Sequence, residues 1–427
     1  MNRRVLIISP YFPPSNAADM QRIRMSLPYF EKFGWNAEVV TVFQKHSDVM
    51  KDELLMQSIP TEIKIHFVNA FNRKWTSKLG LGSLALRSLV FYLYKVNQIL
   101  SSQKFDLIYF STTQFPVCIL GAYWKKRFKI PYVIDMQDPW HSDYYQDKPK
   151  AEQPPKYWFS YRLNKYLEPI AMHHVDGLIS VSGDYIKTLK SRYPKISTIP
   201  SAVITFGAFE KDFEILGSNQ HLFKSMRHKD KINILYIGRG GHDMQQAIAP
   251  VFETLRNCME GNPEFFKKLH FLFIGTSYAP AGRGSPTILP VAKKYGLEDQ
   301  VTEITDRISF YQALYMLQQA DALFIPGSDD PKYSASKIYP YLLVQKPLLA
   351  IFHQYSNVID IIDKCVTGAT LIRFSDEDIN SKLTQTLTDW AKGNLAPLTL
   401  TAHIKEYSAE NMTLKQTELF NSVISYP

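Results

Sequence analysis

The sequence predicts an α/β protein of two domains, each built on a largely parallel β-sheet covered by helices. The chain has 427 residues, and single domains usually stop growing at about 250–300 residues. Short β-branched runs alternate with longer helical patterns, which is typical of parallel sheets. The alternation lapses over Ile199–Lys231, which we interpret as a linker, and then restarts.

The first half opens with a predicted strand over Arg4–Ser9 and a predicted helix over Ala18–Phe33, where apolar residues recur every three or four positions. A longer helix is predicted over Leu84–Leu100. The remaining strands are predicted at Glu38–Phe43, Ile63–Val68, Asp106–Phe110, Tyr132–Asp135 and Gly177–Val181, and the remaining helices at Pro116–Lys126 and Tyr157–His174.

The second half repeats this organisation, and Ser408 is predicted to cap a last helix that reaches Ser425. We therefore expect domains at residues 1–205 and 206–405, followed by a C-terminal segment, 406–427. The predicted strands are Ile232–Ile237, Leu269–Ile274, Ala322–Ile325 and Pro347–Ile351, and the predicted helices are Asp243–Cys258, Phe310–Gln318 and Ser336–Val344. In such sheets, ligands bind beyond the carboxyl ends of the strands.

The net charge of +9 is unevenly distributed along the chain. Residues 1–205 contain 27 Lys/Arg and 16 Asp/Glu, a balance of +11, whereas residues 206–427 contain 22 and 24, a balance of −2. This asymmetry indicates an anionic partner for the first half. A composition of 45% hydrophobic and 21% charged residues argues against wholesale disorder.

Aromatic residues are interleaved with the basic residues of the first half, in three clusters at 73–95, 123–129 and 156–165. Trp and Tyr favour the membrane–water interface, and Lys and Arg favour anionic headgroups, so we expect an anionic membrane surface as a partner. The alternative is that these helices pack their aromatics inward and turn their charges outward. Nucleic acid is not expected, because no nucleic-acid-binding module is recognisable.

The cysteine pattern and the absence of a targeting or membrane-spanning run favour a cytoplasmic protein. The basic and aromatic clusters of the first half add the expectation that it lies peripherally on the inner face of the membrane. Cys118, Cys258 and Cys365 are widely separated, which argues against disulfides and zinc knuckles. No run of about 20 apolar residues occurs.

Two segments of the second half are candidates for binding an anion. The turn Gly238-Arg239-Gly240-Gly241-His242 joins a strand to a helix, where backbone N–H groups favour phosphate. The second segment has Ser334 and Ser336 as plausible caps and a cation, Lys337, at the start of a helix, against the usual dipole preference. The alternatives are a tight turn with a surface arginine and a solvated lysine.

In the first half, Asp135-Met136-Gln137-Asp138-Pro139-Trp140 lies at the carboxyl end of a predicted strand, where acidic residues often line the cleft of α/β enzymes. The alternative for Asp138 is a cap or turn carboxylate. The loop after the first strand contains Ser15 and Asn16 and faces the same side of the sheet. We find no Gly-x-Ser-x-Gly, His-Glu-x-x-His or P-loop motif.

Taken together, these segments resemble family 4 glycosyltransferases, the retaining enzymes of GT-B fold, and the chain resembles a divergent member. The likeness spans nearly the whole chain and depends on the order and spacing of its motifs. These are Val5–Pro14, Pro131–Trp140, Val175–Ser182, Gly238-Arg239, Phe273–Thr276, Asp306–Ile308, Ser336–Tyr339 and Lys346–Ala350.

The resemblance implies that the second domain binds a nucleotide diphosphate sugar and the first domain binds the acceptor, with the last helix crossing back to the first domain. Arg239 and Lys337 would neutralise the diphosphate, and Asp138 would lie near the acceptor hydroxyl. By the same resemblance the sugar-donor site includes Gly238, Gly240, Gly241, His242, Thr276, Arg307, Ile308, Ser334, Ser336 and Tyr339, and the acceptor cleft includes Ser15, Asn16, Gln137 and Trp140.

The implied reaction is retaining sugar transfer, of hexosyltransferase type, to a lipid-linked or polysaccharide acceptor. No metal or cofactor is expected, because the two cations would stabilise the departing diphosphate. The sequence differs from the family in having Pro340 at a signature glutamate and Ser111-Thr112 at a histidine. The alternatives are a nucleotide-sugar epimerase of the same fold and a non-catalytic protein that binds sugar nucleotides.

Overall fold

The contacts within the chain divide it into two compact units, which we describe separately. In the computed structural model, unit 1 comprises Met1–Gly207 and Ser408–Pro427, and unit 2 comprises Ala208–Tyr407. The residues that the structure describes are 2–143, 146, 149–150, 153, 156–279, 281–330 and 337–425.

Unit 1 is built on a seven-stranded sheet in which every neighbouring pair of strands is parallel. The strand order is β3-β2-β1-β4-β5-β6-β7, so the chain reverses its direction of travel across the sheet between β1 and β4. Ligands of open α/β sheets bind at such a switch point. The strands are β1 (Arg3–Ile8), β2 (Trp35–Val42), β3 (Lys64–Val68), β4 (Leu107–Ser111), β5 (Tyr132–Met136), β6 (Gly177–Ser180) and β7 (Ser201–Val203).

The helices of unit 1 cover this sheet, and their buried faces complete its core. Trp124, for example, is fully buried and stacks on Phe110 of β4 with ring centroids 6.0 Å apart. Burying a large apolar side chain stabilises the fold by about 1.5–3 kcal/mol. The helices are α1 (Gln21–Ser26), α2 (Arg73–Thr76), α3 (Leu84–Ser102), α4 (Ile119–Phe128), α5 (Tyr157–Met172) and α6 (Gly183–Arg192).

Unit 2 contains a six-stranded parallel sheet of order β10-β9-β8-β11-β12-β14, with its switch point between β8 and β11. A small antiparallel pair, β13 and β15, lies outside it. The strands are β8 (Ile232–Ile237), β9 (Leu269–Ile274), β10 (Val301–Ile304), β11 (Ala322–Pro326), β12 (Leu348–Phe352), β13 (Val366–Thr367), β14 (Thr370–Arg373) and β15 (Thr399–Leu400). The helices are α7 (Lys211–Asn219), α8 (Gln245–Gly261), α9 (Pro263–Phe266), α10 (Leu289–Lys294), α11 (Phe310–Gln319), α12 (Ile338–Leu343), α13 (Asn357–Cys365) and α14 (Ile379–Ala391).

The last helix, α15 (Ala409–Ser425), belongs to unit 1. The Ser408 hydroxyl accepts a hydrogen bond from the Asn411 N–H at 3.1 Å, which confirms the predicted cap. Phe420 of α15 is fully buried against aromatic rings of unit 1, with its ring centroid 5.3 Å from that of Trp35 and 5.0 Å from that of Tyr109. The helix is therefore part of the unit 1 core.

The predicted α/β fold of two parallel-sheet domains is confirmed, but two predicted segments need correction, and two strands of the second sheet, β10 and β14, were not predicted. The segment predicted as a linker, Ile199–Lys231, contains β7 and α7. The helix predicted over Ala18–Phe33 is restricted to α1, because Pro28 cannot continue it. Within the described residues, no helix has both the length and the apolar character needed to cross a lipid bilayer.

Candidate functional site

The switch point of the unit 2 sheet is held together by a three-residue contact between the loops that follow β8 and β11. Arg239 donates to both carboxylate oxygens of Asp243, at 2.9 Å and 2.5 Å. The Ser328 hydroxyl, after β11, donates to the same carboxylate at 2.7 Å. Burial of Asp243 opposes ionisation, but these hydrogen bonds outweigh it and lower the pKa of the carboxyl. Arg239 is therefore held by an ion pair, and its guanidinium has a defined orientation.

Glycine in this turn is required by neighbouring protein groups. A Cβ at Gly238 would collide with the Tyr236 hydroxyl, and a Cβ at Gly241 would collide with the Asp243 carboxylate. The Gly238 N–H donates to the Ile274 carbonyl at 3.0 Å, and the Gly240 N–H donates to the Thr276 carbonyl at 2.8 Å. The expectation that these two N–H groups are free to bind phosphate is therefore wrong.

Two cations lie near each other at the same carboxyl edge of unit 2. Arg307 follows β10, and Lys337 immediately precedes α12. Lys337 is exposed to solvent, yet surrounding protein atoms and the charge of Arg307 lower its pKa to about 8. The Arg307 guanidinium lies 3.9 Å from the centroid of the Tyr278 ring, a close cation–π contact. Like charges in this arrangement favour binding of an anion.

The other residues predicted for the sugar-donor site have different environments. Thr276 is buried and donates to Glu303 at 2.7 Å, and His242 is exposed beside Gln245. Ile308 is partly buried next to Arg307. Tyr339 is 1% exposed and stacks on Tyr407, so a ligand can meet its backbone only. Ser334 and Ser336 lie outside the described residues.

In unit 1, Asp19 connects the loops that follow β1 and β4 at the switch point. Its Oδ2 atom accepts hydrogen bonds from the Thr112 hydroxyl at 2.9 Å and from the Thr113 N–H at 3.0 Å. The Gln137 side chain, after β5, donates to the Asp19 carbonyl at 3.2 Å. Burial raises the pKa of Asp19 despite these hydrogen bonds. Three loops at the carboxyl edge are thereby fixed relative to one another.

Asp138 lies at this edge, two residues after the end of β5. Its side chain is exposed to solvent, but the surrounding protein and the nearby charge of Asp19 raise its pKa to about 6. A carboxyl group that ionises near neutral pH is suited to proton transfer. The role of Asp138 near the acceptor hydroxyl stays a prediction.

The remaining residues predicted for the acceptor cleft are largely enclosed. Ser15 is 2% exposed, and its hydroxyl lies 3.4 Å from that of Ser47. Asn16 is partly buried, and its N–H donates to the Met50 carbonyl at 2.8 Å. Trp140 stacks on Phe115 and donates to Asn164 at 3.1 Å. Gln137 is the member of this group that donates a hydrogen bond to Asp19, and it thereby joins the set of hydrogen bonds that connects Asp19 with Thr112 and Thr113, the Asp19 network.

Sequence reasoning missed the buried ion pair beneath this edge. The Arg22 Nε and Asp135 Oδ2 atoms are 2.6 Å apart, and both side chains are fully buried. The Nε–H bond is not aimed at the oxygen, so this is a close ion pair without an aligned hydrogen bond. Arg22 also donates to the Ile204 and Thr205 carbonyls. The available signal was a pair of arginines, Arg22 and Arg24, that alternate with the apolar residues Ile23 and Met25.

The chain has the GT-B fold. Among solved structures, it is similar over 98% of its length to all of HepE from Anabaena, determined in complex with UDP and glucose, with 14% identity and a TM-score of 0.55.

Two further structures cover the whole of this chain. A UDP-forming α,α-trehalose-phosphate synthase from Burkholderia vietnamiensis matches over 98% of its own chain, with 9% identity and a TM-score of 0.56. A glycosyltransferase from Rickettsia africae matches over 100% of its own chain, with 10% identity and a TM-score of 0.55. No protein-family model and no curated protein matches the sequence.

Proposed function

We propose that this protein is a glycosyltransferase that uses a nucleotide diphosphate sugar bound by unit 2 and an acceptor bound by unit 1. Following the family resemblance, we propose transfer of a hexose with retention, to a lipid-linked or polysaccharide acceptor. The proposal is supported by the GT-B fold and by its likeness to HepE, a protein determined in complex with UDP and glucose.

The observation that carries the proposal is the arrangement of Lys337 and Arg307. Two cations close enough to lower the pKa of the lysine are unfavourable without a compensating anion. The position of Lys337 before α12 is unfavourable as well, because a helix N-terminus repels positive charge. A diphosphate group would relieve both effects, and at pKa about 8 Lys337 remains mostly protonated at neutral pH.

In the proposed reaction, the diphosphate leaves the anomeric carbon and negative charge develops on its leaving oxygen. Lys337 and Arg307 stabilise that charge, while Arg239, oriented by Asp243, contributes a third positive group at the same edge. No metal is required in this scheme.

The acceptor in this proposal approaches Asp138, whose carboxyl lies at the carboxyl edge of the unit 1 sheet. The Asp19 network positions the loops around it, as the hydrogen bonds to Thr112, Thr113 and Gln137 indicate. The basic and aromatic surface of unit 1 would bring the protein to an anionic membrane, where lipid-linked acceptors reside.

Replacement of Lys337 tests the sugar-donor site. We expect Lys337→Ala to lower turnover by about 10²–10³-fold, which is typical for the loss of one charge-stabilising group. Turnover is measured as release of the nucleoside diphosphate from UDP-glucose in the presence of an acceptor extract. Lys294→Ala, at an exposed lysine of unit 2, is the matched control and should retain full activity.

Two results would contradict the proposal. Unchanged turnover in Lys337→Ala, with the same unfolding midpoint as wild type, would reject the site. Conversion of UDP-glucose to another sugar nucleotide without any acceptor would indicate an epimerase instead of a transferase.

A further inference from the structure

Unit 1 contains a groove at the carboxyl edge of its sheet, and of the residues predicted for the acceptor cleft only Trp140 is among those that line it. The groove has a volume of about 430 Å³. This is within the range of about 300–1,000 Å³ that small-molecule sites occupy. Its walls come from α2 and the turn after it, the start of α3, the loops after β4 and β5, and the start of α5.

The walls of the groove are mainly apolar. Phe115, Trp140 and Phe159 contribute aromatic rings, and Leu86 and Leu163 contribute aliphatic side chains. Phe159 of α5 packs tightly against Gly80, in the turn after α2, where an added Cβ would lie 2.8 Å from the ring. The α5 wall of the groove is therefore in close contact with this turn. A lining of this kind favours a hydrocarbon ligand.

Two cations, Arg73 and Lys156, supply the charged part of the wall. Arg73 is paired with Asp48 at 2.5 Å. Lys156 precedes α5 with a left-handed backbone (φ +59°), and within the described residues no acidic side chain forms an ion pair with it. An apolar groove with such a cation is complementary to a hydrocarbon chain that ends in an anionic group.

The segments that form the groove also carry exposed tryptophans next to cations. Trp75 of α2 is 71% exposed with Lys78 5.5 Å from its ring centroid, and Trp158 of α5 is 65% exposed with Arg162 5.8 Å away. Trp158 also contacts Phe159 of the groove wall, with centroids 5.9 Å apart. Tryptophans and cations of this kind favour the headgroup layer of a membrane, which places the groove beside the source of a lipid chain.

We infer that the groove binds the hydrocarbon chain of a lipid phosphate, and that the acceptor of the proposed reaction is lipid-linked. The inference rests on the proposed function and chooses between its two acceptor classes. Thr113 and Trp140 line the groove. The Thr113 N–H binds Asp19, and Trp140 follows Asp138 by two residues. A chain in the groove would therefore leave its polar end near the proposed acceptor site.

The test is quenching of tryptophan fluorescence by a monoalkyl phosphate with a brominated chain, added below its micelle concentration. The protein is the full chain with Trp75→Phe and Trp158→Phe, so that surface tryptophans do not report. We expect saturable quenching that Trp140→Phe removes. Affinity should increase about three- to fourfold for each added methylene until the groove is full.

Blocking and charge variants locate the binding site. Ser160→Phe, at an exposed helix position that lines the groove, should weaken binding at least tenfold, whereas Tyr166→Phe, at an exposed position outside it, should not. Lys156→Asn removes the charge with a residue that tolerates a left-handed backbone. It should weaken binding of the alkyl phosphate and leave binding of the alkyl alcohol of equal length unchanged.

Binding of UDP-glucose to the same protein separates the two proposals. If the sugar nucleotide binds but the chain does not quench Trp140, the groove inference fails and the proposed function stands. If the chain binds but transfer and sugar-nucleotide binding are both absent, the proposed function fails and with it the acceptor assignment. Quenching that Ser160→Phe leaves unchanged, in a variant with the unfolding midpoint of the parent, overturns the inference.

Discussion

Asp138 combines two properties that an ordinary surface carboxyl does not have together, exposure to solvent and a raised pKa. It is exposed to solvent, and its pKa is nevertheless raised to about 6 by surrounding protein and by the charge of Asp19. An unfolded chain would ionise this group near its ordinary value of about 3.9. Ionised Asp138 therefore makes the folded state less stable relative to the unfolded state.

The sign of this effect gives a prediction for stability. As pH rises through the window from about 4 to 6, the unfolded chain loses the proton first, so folding stability falls and remains lowered above it. We expect Asp138→Asn to raise the urea midpoint relative to wild type at about pH 7 and to match wild type near pH 4. The matched control is Glu53→Gln, at an exposed residue of unit 1. An equal difference between Asp138→Asn and wild type at both pH values would contradict the assignment.

At the scale of elements, the buried pair of Arg22 and Asp135 connects α1 to β5 and to the segment after β7. Asp135 also receives hydrogen bonds at Oδ2 from Tyr109, Ser111 and Gln137. Because neither partner contacts water, removing one leaves a buried charge without compensation. The carboxyl edge of unit 1 thus depends on an electrostatic contact beneath it.

We expect Arg22→Met to destabilise unit 1 by about 3–5 kcal/mol, as is typical when one partner of a buried pair is lost. The measurement is urea unfolding followed by tryptophan fluorescence. Arg162→Met, at an exposed arginine, should change stability by less than about 1 kcal/mol. If the two variants were equally stable, the buried pair would not be a structural requirement.

Elements with a clear local sequence pattern were predicted accurately, whereas elements without one were not. The strands Ile232–Ile237 and Leu269–Ile274 were predicted with the observed bounds, because a run of buried apolar residues is a local signal. The short edge strand β7 was missed, since three partly exposed residues have no clear period. The apolar pattern of Ala18–Phe33 predicts a long helix, but a single proline, Pro28, cannot continue it, and α1 ends at Ser26.

The candidate sites show the same difference between features readable from a local pattern and contacts between residues far apart in sequence. The positions of Asp138 and Arg239 at the carboxyl ends of strands were predicted, because parallel strands place their ends along one edge. The contacts that hold the carboxyl edge of unit 1 together were not predicted, because Asp19 and Thr112 are 93 residues apart and Arg22 and Asp135 are 113 apart in sequence. Contacts at that separation are set by strand order, which a single sequence does not specify.

For the whole molecule, the charge imbalance can be assigned to particular surfaces. The balance of +11 lies in residues 1–205, and exposed Trp75 and Trp158 of unit 1 each have a cation close to the ring. In unit 2, residues 208–407 contain 21 Lys/Arg and 22 Asp/Glu, a balance of −1, so the proposed anion binding there would depend on a few placed cations and not on net charge. This distribution is consistent with the proposal that the two units bind different anionic partners.

We therefore expect unit 1 to direct binding of the protein to anionic vesicles. Each cation near a membrane surface contributes about 1 kcal/mol, so Lys78→Gln with Arg162→Gln should weaken co-sedimentation with phosphatidylserine vesicles by about 10- to 30-fold. Lys293→Gln with Lys294→Gln removes the same charge from unit 2 and should have little effect. Binding should also fall as salt is raised from 50 to about 300 mM, because the attraction is screened. Equal binding to neutral and anionic vesicles would show that the excess charge of unit 1 has no role in membrane association.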